Sequence, residues 1–229
     1  MKPAALIQLA FIILAGVAVF AFVSMARDAE TRRACVPACV MRPNYAGRNR
    51  LAPDFELEDV KGGKVRLSEL RGKTVVLNFW TTTCQPCLEE MPSIADLAKV
   101  LETRRAKAFA SWRPDIVVLT VSTDATKEIA MTALKTLLHD ENGPPFRVLL
   151  DPESSVVREK YGTTLFPETW IIDPKGVIRA RFDGARDWSN AMVLDLIESF
   201  ERPAPCDIEF ESGKPSGPEA AICDESGSG

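Results

Sequence analysis

Cys84-Gln85-Pro86-Cys87 sets two thiols three residues apart. At that spacing one sulfur can attack a disulfide and the other can close back onto it. The run before the pair, Thr74-Val75-Val76-Leu77-Asn78-Phe79-Trp80, is nearly all apolar and reads as a strand covered on both faces. After it, Ile94, Leu97, Ala98 and Leu101 recur at core spacing and predict a helix over Gln85–Lys107, kinked at Pro92. The first thiol therefore stands at a helix N-terminus, where free N–H groups and the macrodipole favour a thiolate. Pro86 falls in the first turn, where its missing N–H costs nothing. The carboxyl end of a strand is also where open α/β sheets place their sites. A static disulfide or half of a zinc site are the competing readings. Zinc would need a second ligand pair nearby, whereas the other four cysteines lie near the chain ends and His139 is the single histidine. Redox chemistry is the favoured reading. Glu90, three residues after Cys87, shares its helical face and is placed either to exchange a proton with it or to sit solvated in the first turns.

The surrounding elements read as α/β. Phe55-Glu56-Leu57 and Lys64-Val65-Arg66-Leu67 flank Gly62-Gly63 as a hairpin. Ile116–Val121 is a second buried strand, and Thr126–Leu138 a helix with Ile129, Ala133, Leu134 and Leu137 as its core face. A short strand at Arg147–Leu150 and a short helix at Ser154–Tyr161 come next. Thr169–Ile172 and Val177–Phe182 are joined by Asp173-Pro174-Lys175-Gly176, a type I turn pattern that predicts an antiparallel pair. Trp188–Phe200 closes the unit as a helix, and His139 is placed as a helix C-cap. Alternating strands and helices followed by a hairpin predict a central mixed sheet flanked by helices on both faces.

Ala52-Pro53-Asp54-Phe55, Leu77-Asn78-Phe79-Trp80, Cys84-Gln85-Pro86-Cys87-Leu88-Glu89-Glu90-Met91-Pro92 and Phe166-Pro167-Glu168-Thr169 together resemble the membrane-anchored thioredoxin-like proteins of the TlpA/ResA type. The resemblance runs from about Leu51 to Phe200. It implies a thioredoxin-like fold with an N-terminal β-hairpin and a central insertion. It also implies an extracytoplasmic thiol–disulfide oxidoreductase on a bacterial inner membrane, without a cofactor. Its partners would be protein thiols and disulfides, such as apocytochrome c or copper-centre thiols, and a membrane electron donor. By the same resemblance Cys84 is the exposed nucleophile, Cys87 the resolving thiol, Glu90 the active-site glutamate and Pro167 a cis-proline facing the pair. Trp80, Gln85, Pro86, Phe166 and Glu168 are the expected substrate-binding residues, Phe166 through its backbone. Three departures stand out. Asn78 replaces the buried aspartate of thioredoxin, Thr83 the usual tryptophan, and Glu168 the usual threonine. A carboxylate at Glu168 beside Cys84 would raise its thiol pKa and oppose the helix dipole.

Outside this core, residues 1–26 hold 24 consecutive uncharged positions from Pro3 to Ala26. Such a helix spans roughly 30 Å and exceeds the apolar core of a cleavable signal, about 7–15 residues. A retained anchor is favoured. Arg27, Arg32 and Arg33 follow it and, by charge count, would hold that side in the cytoplasm. Paired cysteines favour export instead, and that orientation is adopted. Residues 27–50, with Cys35-Val36-Pro37-Ala38-Cys39 and Gly47-Arg48-Asn49-Arg50, read as a turn-rich linker leading to the domain at 51–202. Residues 203–229 form an acidic tail in which Gly, Pro and Ser fill 12 of 27 positions, flexible unless Cys206 and Cys223 tie it down. Cys35, Cys39, Cys206 and Cys223 allow three pairings; structural bridges are favoured over a relay or a metal site.

The 229 residues carry 32 acidic and 28 basic side chains, and a net charge of −4 with no basic stripe argues against nucleic-acid binding. Two rival functions are open to test. Thr81 precedes Cys84 at a peroxidase spacing, but Leu77 stands where that motif needs proline. A copper chaperone would want its CxxxC inside the domain rather than at Cys35–Cys39.

Overall fold

The computed structural model describes residues 3–43, 50–107, 115–200, 206, 208–211 and 214–226. Helix α1 (Pro3–Met41) leads into a hairpin of β1 (Glu56–Asp59) and β2 (Lys64–Arg66), then a one-turn 3-10 helix at Leu67–Leu70. β3 (Thr74–Trp80) and α2 (Gln85–Lys107) follow, then β4 (Ile116–Ser122), α3 (Lys127–Leu138) and β5 (Arg147–Leu150). A π-helical turn at Ser155–Lys160 precedes β6 (Glu168–Ile172), β7 (Ile178–Asp183) and α4 (Ala191–Ser199). The tail adds β8 (Glu209–Glu211), β9 (Lys214–Ser216) and α5 (Ala221–Ser226). The main sheet runs β2-β1-β5-β4-β3-β6-β7. β3, β4 and β5 are mutually parallel and the remaining pairs antiparallel. This is the expected mixed sheet, with β1–β2 as the N-terminal hairpin and α3–β5 as the insertion.

β3 is buried at all seven positions, and its period-two alternation divides the core. Val76 and Trp80 face one cluster together with α2, α3 and α4; Val75, Leu77 and Phe79 face the other, with Tyr161 and Trp170. β6 divides the same way, Ile171 toward the first cluster and Trp170 and Ile172 toward the second. β6–β7 closes through the expected turn, the Gly176 N–H donating to the Asp173 carbonyl at 2.8 Å. His139 caps α3 in the left-handed region, its N–H donating to Lys135. α4 begins at Ala191, later than expected, because Asn190 supplies the N-cap and accepts from the Met192 N–H.

Two expectations require correction. The core face of α3 is displaced at its start: Leu134 is buried and Leu137 packs against the first cluster as expected, but Ala130 is buried in place of the expected Ile129, which is 47% exposed. Residues 27–41 are not a turn-rich linker but the continuation of α1, through Pro37. Ala34, Cys35, Ala38, Cys39 and Met41 form one buried stripe of that helix and join the first core cluster. Cys35 pairs with Cys206 and Cys39 with Cys223, so the tail is tied to the helix end. The buried stripe and its bridges offset the roughly 3 kcal/mol that an interior proline costs a helix. The predicted turn residues at 44–49 lie outside the described residues.

α1 is long and apolar enough to cross a membrane, and none of its most apolar stretch is covered by the rest of the chain.

Candidate active site

The parallel strands β3 and β4 deliver their carboxyl ends side by side, with Trp80 opposite Ser122. Immediately beyond them, Asp124 holds the loop that leads to the cysteines. Its carboxylate accepts from the Thr81 hydroxyl (2.9 Å), the Thr82 hydroxyl (2.6 Å), the Thr82 N–H (3.1 Å) and the Ser122 hydroxyl (2.7 Å). Sequence reasoning missed Asp124. The only local signal was Ser122-Thr123-Asp124 following a buried strand, a common helix or turn pattern. The Thr81 hydroxyl is committed to this carboxylate, and Leu77 is wholly buried in the opposite cluster, which leaves the peroxidase spacing without a site.

Cys84 and Cys87 are joined in a disulfide, with Cα atoms 5.3 Å apart. Cys84 is partly exposed and Cys87 fully buried. Only Cys84 is therefore open to another protein's sulfur. The Cys87 N–H donates to Cys84 Sγ at 3.2 Å from the first turn of α2. After reduction that donor, added to the helix dipole, favours the Cys84 thiolate over the thiol.

Glu90 is buried, 2% exposed, which excludes the solvated alternative. Its Oε1 accepts from Asn78 Nδ2 (2.7 Å), and its Oε2 from Trp188 Nε1 (3.1 Å) and the Arg186 N–H (3.1 Å). Asn78 also donates to the Thr169 hydroxyl at 2.9 Å, joining β3 to β6. Burial pushes the Glu90 carboxyl up to about 7, against the opposing pull of the Trp188, Asn78 and Arg186 donors. A group with that pKa near the resolving thiol is matched to proton exchange at neutral pH. Asn78, Trp188 and Arg186 were not read as site residues; Asn78 comes from β3 and the other two from the loop between β7 and α4, and no local pattern marks their convergence. Ser93 braces the arrangement, its hydroxyl donating to the Glu90 carbonyl (2.7 Å) and accepting from the Trp188 N–H (3.0 Å).

The Phe166–Pro167 peptide is cis. Continuing the Phe79–Glu168 register by one residue sets Pro167 beside Trp80, at the end of β3 that leads to Cys84. Phe166 is half-buried between the two clusters, and Gln85 and Pro86 are exposed beside the disulfide. Sequence adjacency thus places Gln85 and Pro86 beside the disulfide, and strand register brings Phe166 and Pro167 to the same end of the sheet.

Two expected substrate contacts lie elsewhere. Trp80 is wholly buried in the first cluster, beneath the site rather than on its surface. Glu168 is also buried, on the opposite face of the sheet from Cys87, where it accepts from Thr163 and from Trp170 Nε1 (2.7 Å) and pairs with Arg181 at 3.3 Å. Burial raises its own pKa. The expected effect of Glu168 on the Cys84 thiol is withdrawn, because adjacent residues of a strand point to opposite faces.

Residues 49–181 match the AhpC/TSA family. The thiol-disulfide oxidoreductase ResA of Bacillus subtilis (strain 168) is 35% identical over 139 residues, covering 58% of this chain and 69% of that protein. ResA of Oceanobacillus iheyensis is 32% identical over 154 residues, covering 65% and 68%. Among solved structures, a protein from Chlorobium tepidum described as a thiol:disulfide interchange protein DsbE superimposes with a TM-score of 0.52 at 26% identity, covering 67% of this chain and 99% of that one.

Proposed function

We propose that this chain, which belongs to the AhpC/TSA family and is a thiol–disulfide oxidoreductase, reduces protein disulfides outside the cytoplasmic membrane of a bacterium, held there by α1. The observation that carries the reading is the exposure of Cys84 against the burial of Cys87 and Glu90.

In the reduced enzyme the Cys84 thiolate attacks one sulfur of a substrate disulfide. A mixed disulfide forms and the first substrate thiolate leaves. Cys87 then loses its proton toward Glu90 and attacks Cys84 Sγ, expelling the second substrate thiolate. Two electrons have passed to the substrate, and the enzyme is left with the Cys84–Cys87 disulfide. Gln85, Pro86, Phe166 and Pro167 surround the reacting sulfur and are the candidate contacts for the substrate backbone. A membrane protein carrying a reduced dithiol returns the enzyme to its starting state by the same exchange in reverse.

The extracytoplasmic orientation is supported by the two bridges beside the membrane end of the domain, since such disulfides persist in oxidising compartments. The same bridges commit Cys35 and Cys39, which removes the thiolates on which the copper-chaperone reading depended.

Trapping tests the proposal. Cys87→Ala in the full-length chain stalls the reaction at the mixed disulfide, and exported proteins containing cysteine pairs are expected as adducts of Cys84. Adducts that persist in Cys84→Ser, or none at all in the Cys87→Ala strain, would overturn it.

A further inference from the structure

The last turn of a helix leaves carbonyl groups that no later N–H of the helix can reach. At the end of α1, Arg42 turns into the left-handed region and donates its N–H to the Ala38 carbonyl at 2.8 Å. The Met41 carbonyl is taken instead by Arg186 Nη1 at 2.9 Å, from the loop between β7 and α4. The guanidinium thus caps α1 from the far side of the domain. Cys35–Cys206 and Cys39–Cys223 fasten the same stretch of helix to the tail, so the seat of this guanidinium is fixed by both bridges.

The seat is a costly one for a cation. Arg186 is half-buried, and its Nε is buried with no hydrogen-bond partner among the described residues. Burial lowers its pKa, and the carboxylates of Asp183 and Glu90 draw it back up. The Phe182 ring, 5.0 Å from the guanidinium carbon, adds a further favourable contact. The influence is mutual. Burial raises the Glu90 carboxyl, and the charge of Arg186 is among the groups that oppose the rise. The backbone N–H of the same residue donates to Glu90 Oε2 at 3.1 Å. Of the other groups near this carboxyl, Asn78 and Trp188 are neutral, and Cys87 titrates once reduced. Arg42, at the end of α1, is turned to the Cys39 carbonyl at 3.4 Å.

We propose that Arg186 is a positioning residue for the resolving step, seated by the bridged end of α1 so that its charge and its N–H act on the carboxyl that takes the Cys87 proton. This rests on the reading of Cys84, Cys87 and Glu90 as the redox site. The positive charge favours ionised Glu90, the form able to accept a proton. The end of α1 then serves the chemistry as well as the anchoring, because it holds the guanidinium where that charge is felt.

The test uses the detergent-solubilised full chain, reduced at Cys84–Cys87 and mixed with dithiobis(nitrobenzoate) in stopped flow. Cys84 attacks one sulfur and a first thionitrobenzoate leaves; Cys87 then loses its proton, attacks Cys84 Sγ and expels the second. The rate of the second release is followed against pH. Arg186→Gln keeps a donor for the Met41 carbonyl and removes the charge, and its midpoint should rise by about one pH unit. Arg186→Lys keeps the charge and should restore most of that change. Cys39→Ser with Cys223→Ser frees the last turn of α1 and should raise the midpoint in the same direction. Added to Arg186→Gln, the same pair should raise it no further, because both act through one guanidinium. An unmoved midpoint in Arg186→Gln, or an equal rise in Arg186→Lys, would overturn the role of the charge. A bridge variant with the wild-type midpoint, or a rise that adds in full to that of Arg186→Gln, would overturn the part played by α1. A wild-type chain that never releases the second thionitrobenzoate would instead overturn the redox reading itself.

Discussion

Arg186 donates its backbone N–H to Glu90 Oε2 at 3.1 Å, and its guanidinium reaches the Met41 carbonyl at the end of α1 at 2.9 Å. One residue thus links α1 to the buried carboxyl of the candidate active site. The guanidinium also lies over the Phe182 ring, 5.0 Å from its centroid, which fixes the loop from which Trp188 reaches Glu90. The carboxyl is held on three sides by groups that belong to β3, to this loop and, through Arg186, to α1.

Burial of Glu90 has a consequence for stability. Its carboxyl titrates near 4.5 when unfolded and about 7 when folded. The folded state therefore holds the proton more tightly. The associated stability is fully present below pH 4.5 and is lost as pH rises through 7. The difference between these limits is about 3 kcal/mol. Guanidinium denaturation of the oxidised chain at pH 5 and pH 8 should show this loss, and Glu90→Gln should abolish most of the difference. An equal pH dependence in the variant would contradict the assignment.

The same group should appear in the kinetics. Resolution of the mixed disulfide requires Cys87 to lose its proton, and the ionised fraction of Glu90 sets how readily it is accepted. Release of the second substrate thiol should accelerate with a midpoint about pH 7 in the wild-type chain. In Glu90→Gln it should slow by about a hundredfold at pH 7, because general-base assistance is lost. Stopped-flow measurement on a preformed mixed disulfide isolates this step from the initial attack by Cys84. A variant with an unchanged resolution rate would remove Glu90 from the proton path.

Asp124 gives a structural prediction of a different kind. It accepts from three donors of Thr81 and Thr82 in the loop before Cys84 and from the Ser122 hydroxyl at the end of β4, and it is buried. Asp124→Ala leaves those donors without their acceptor, a cost of about 3 kcal/mol. The denaturation midpoint should fall accordingly, and attack by Cys84 on a small disulfide should slow because the loop no longer fixes its sulfur. A midpoint within experimental error of the wild type would show that water replaces the carboxylate.

The strands and the redox pair were legible because their signals are local. A continuous apolar run, a CxxC at its end and a helical period beyond it need no knowledge of the rest of the chain. Failures came where two local readings were equally good. On α3, Leu134 enters the core as expected, but Ile129 and Ala130 both border the same apolar face, and only packing in the folded chain selects Ala130 over Ile129. For residues 35–39, proline within a short cysteine loop reads as a turn until the tail arrives to bury one face of the helix. Glu168 is a different case. Its neighbours Pro167 and Thr169 lie on the active-site side, and strand alternation alone places Glu168 on the other. The meeting of Asn78, Arg186 and Trp188 at Glu90 joins positions up to 110 residues apart, and no sequence period reports it.

The two bridges at the end of α1 should behave non-additively. Cys35–Cys206 and Cys39–Cys223 each close a loop of 171 or 184 residues. The two loops overlap almost completely, so with one bridge intact the other restrains only a small ring, made of the four peptide links from Cys35 to Cys39 and the seventeen from Cys206 to Cys223. By chain entropy, opening either bridge alone costs about 3 kcal/mol, whereas opening the second then releases the whole long loop and costs about 5 kcal/mol. The double-bridge variant should therefore lose more stability than the two single-bridge variants summed. Serine replacements at Cys35 and Cys206, at Cys39 and Cys223, and at all four positions supply the comparison. Guanidinium denaturation of each chain, with Cys84–Cys87 kept oxidised, measures it. Equal and additive losses would mean that the bridges act through strain or packing in the folded state rather than by restraining the unfolded chain.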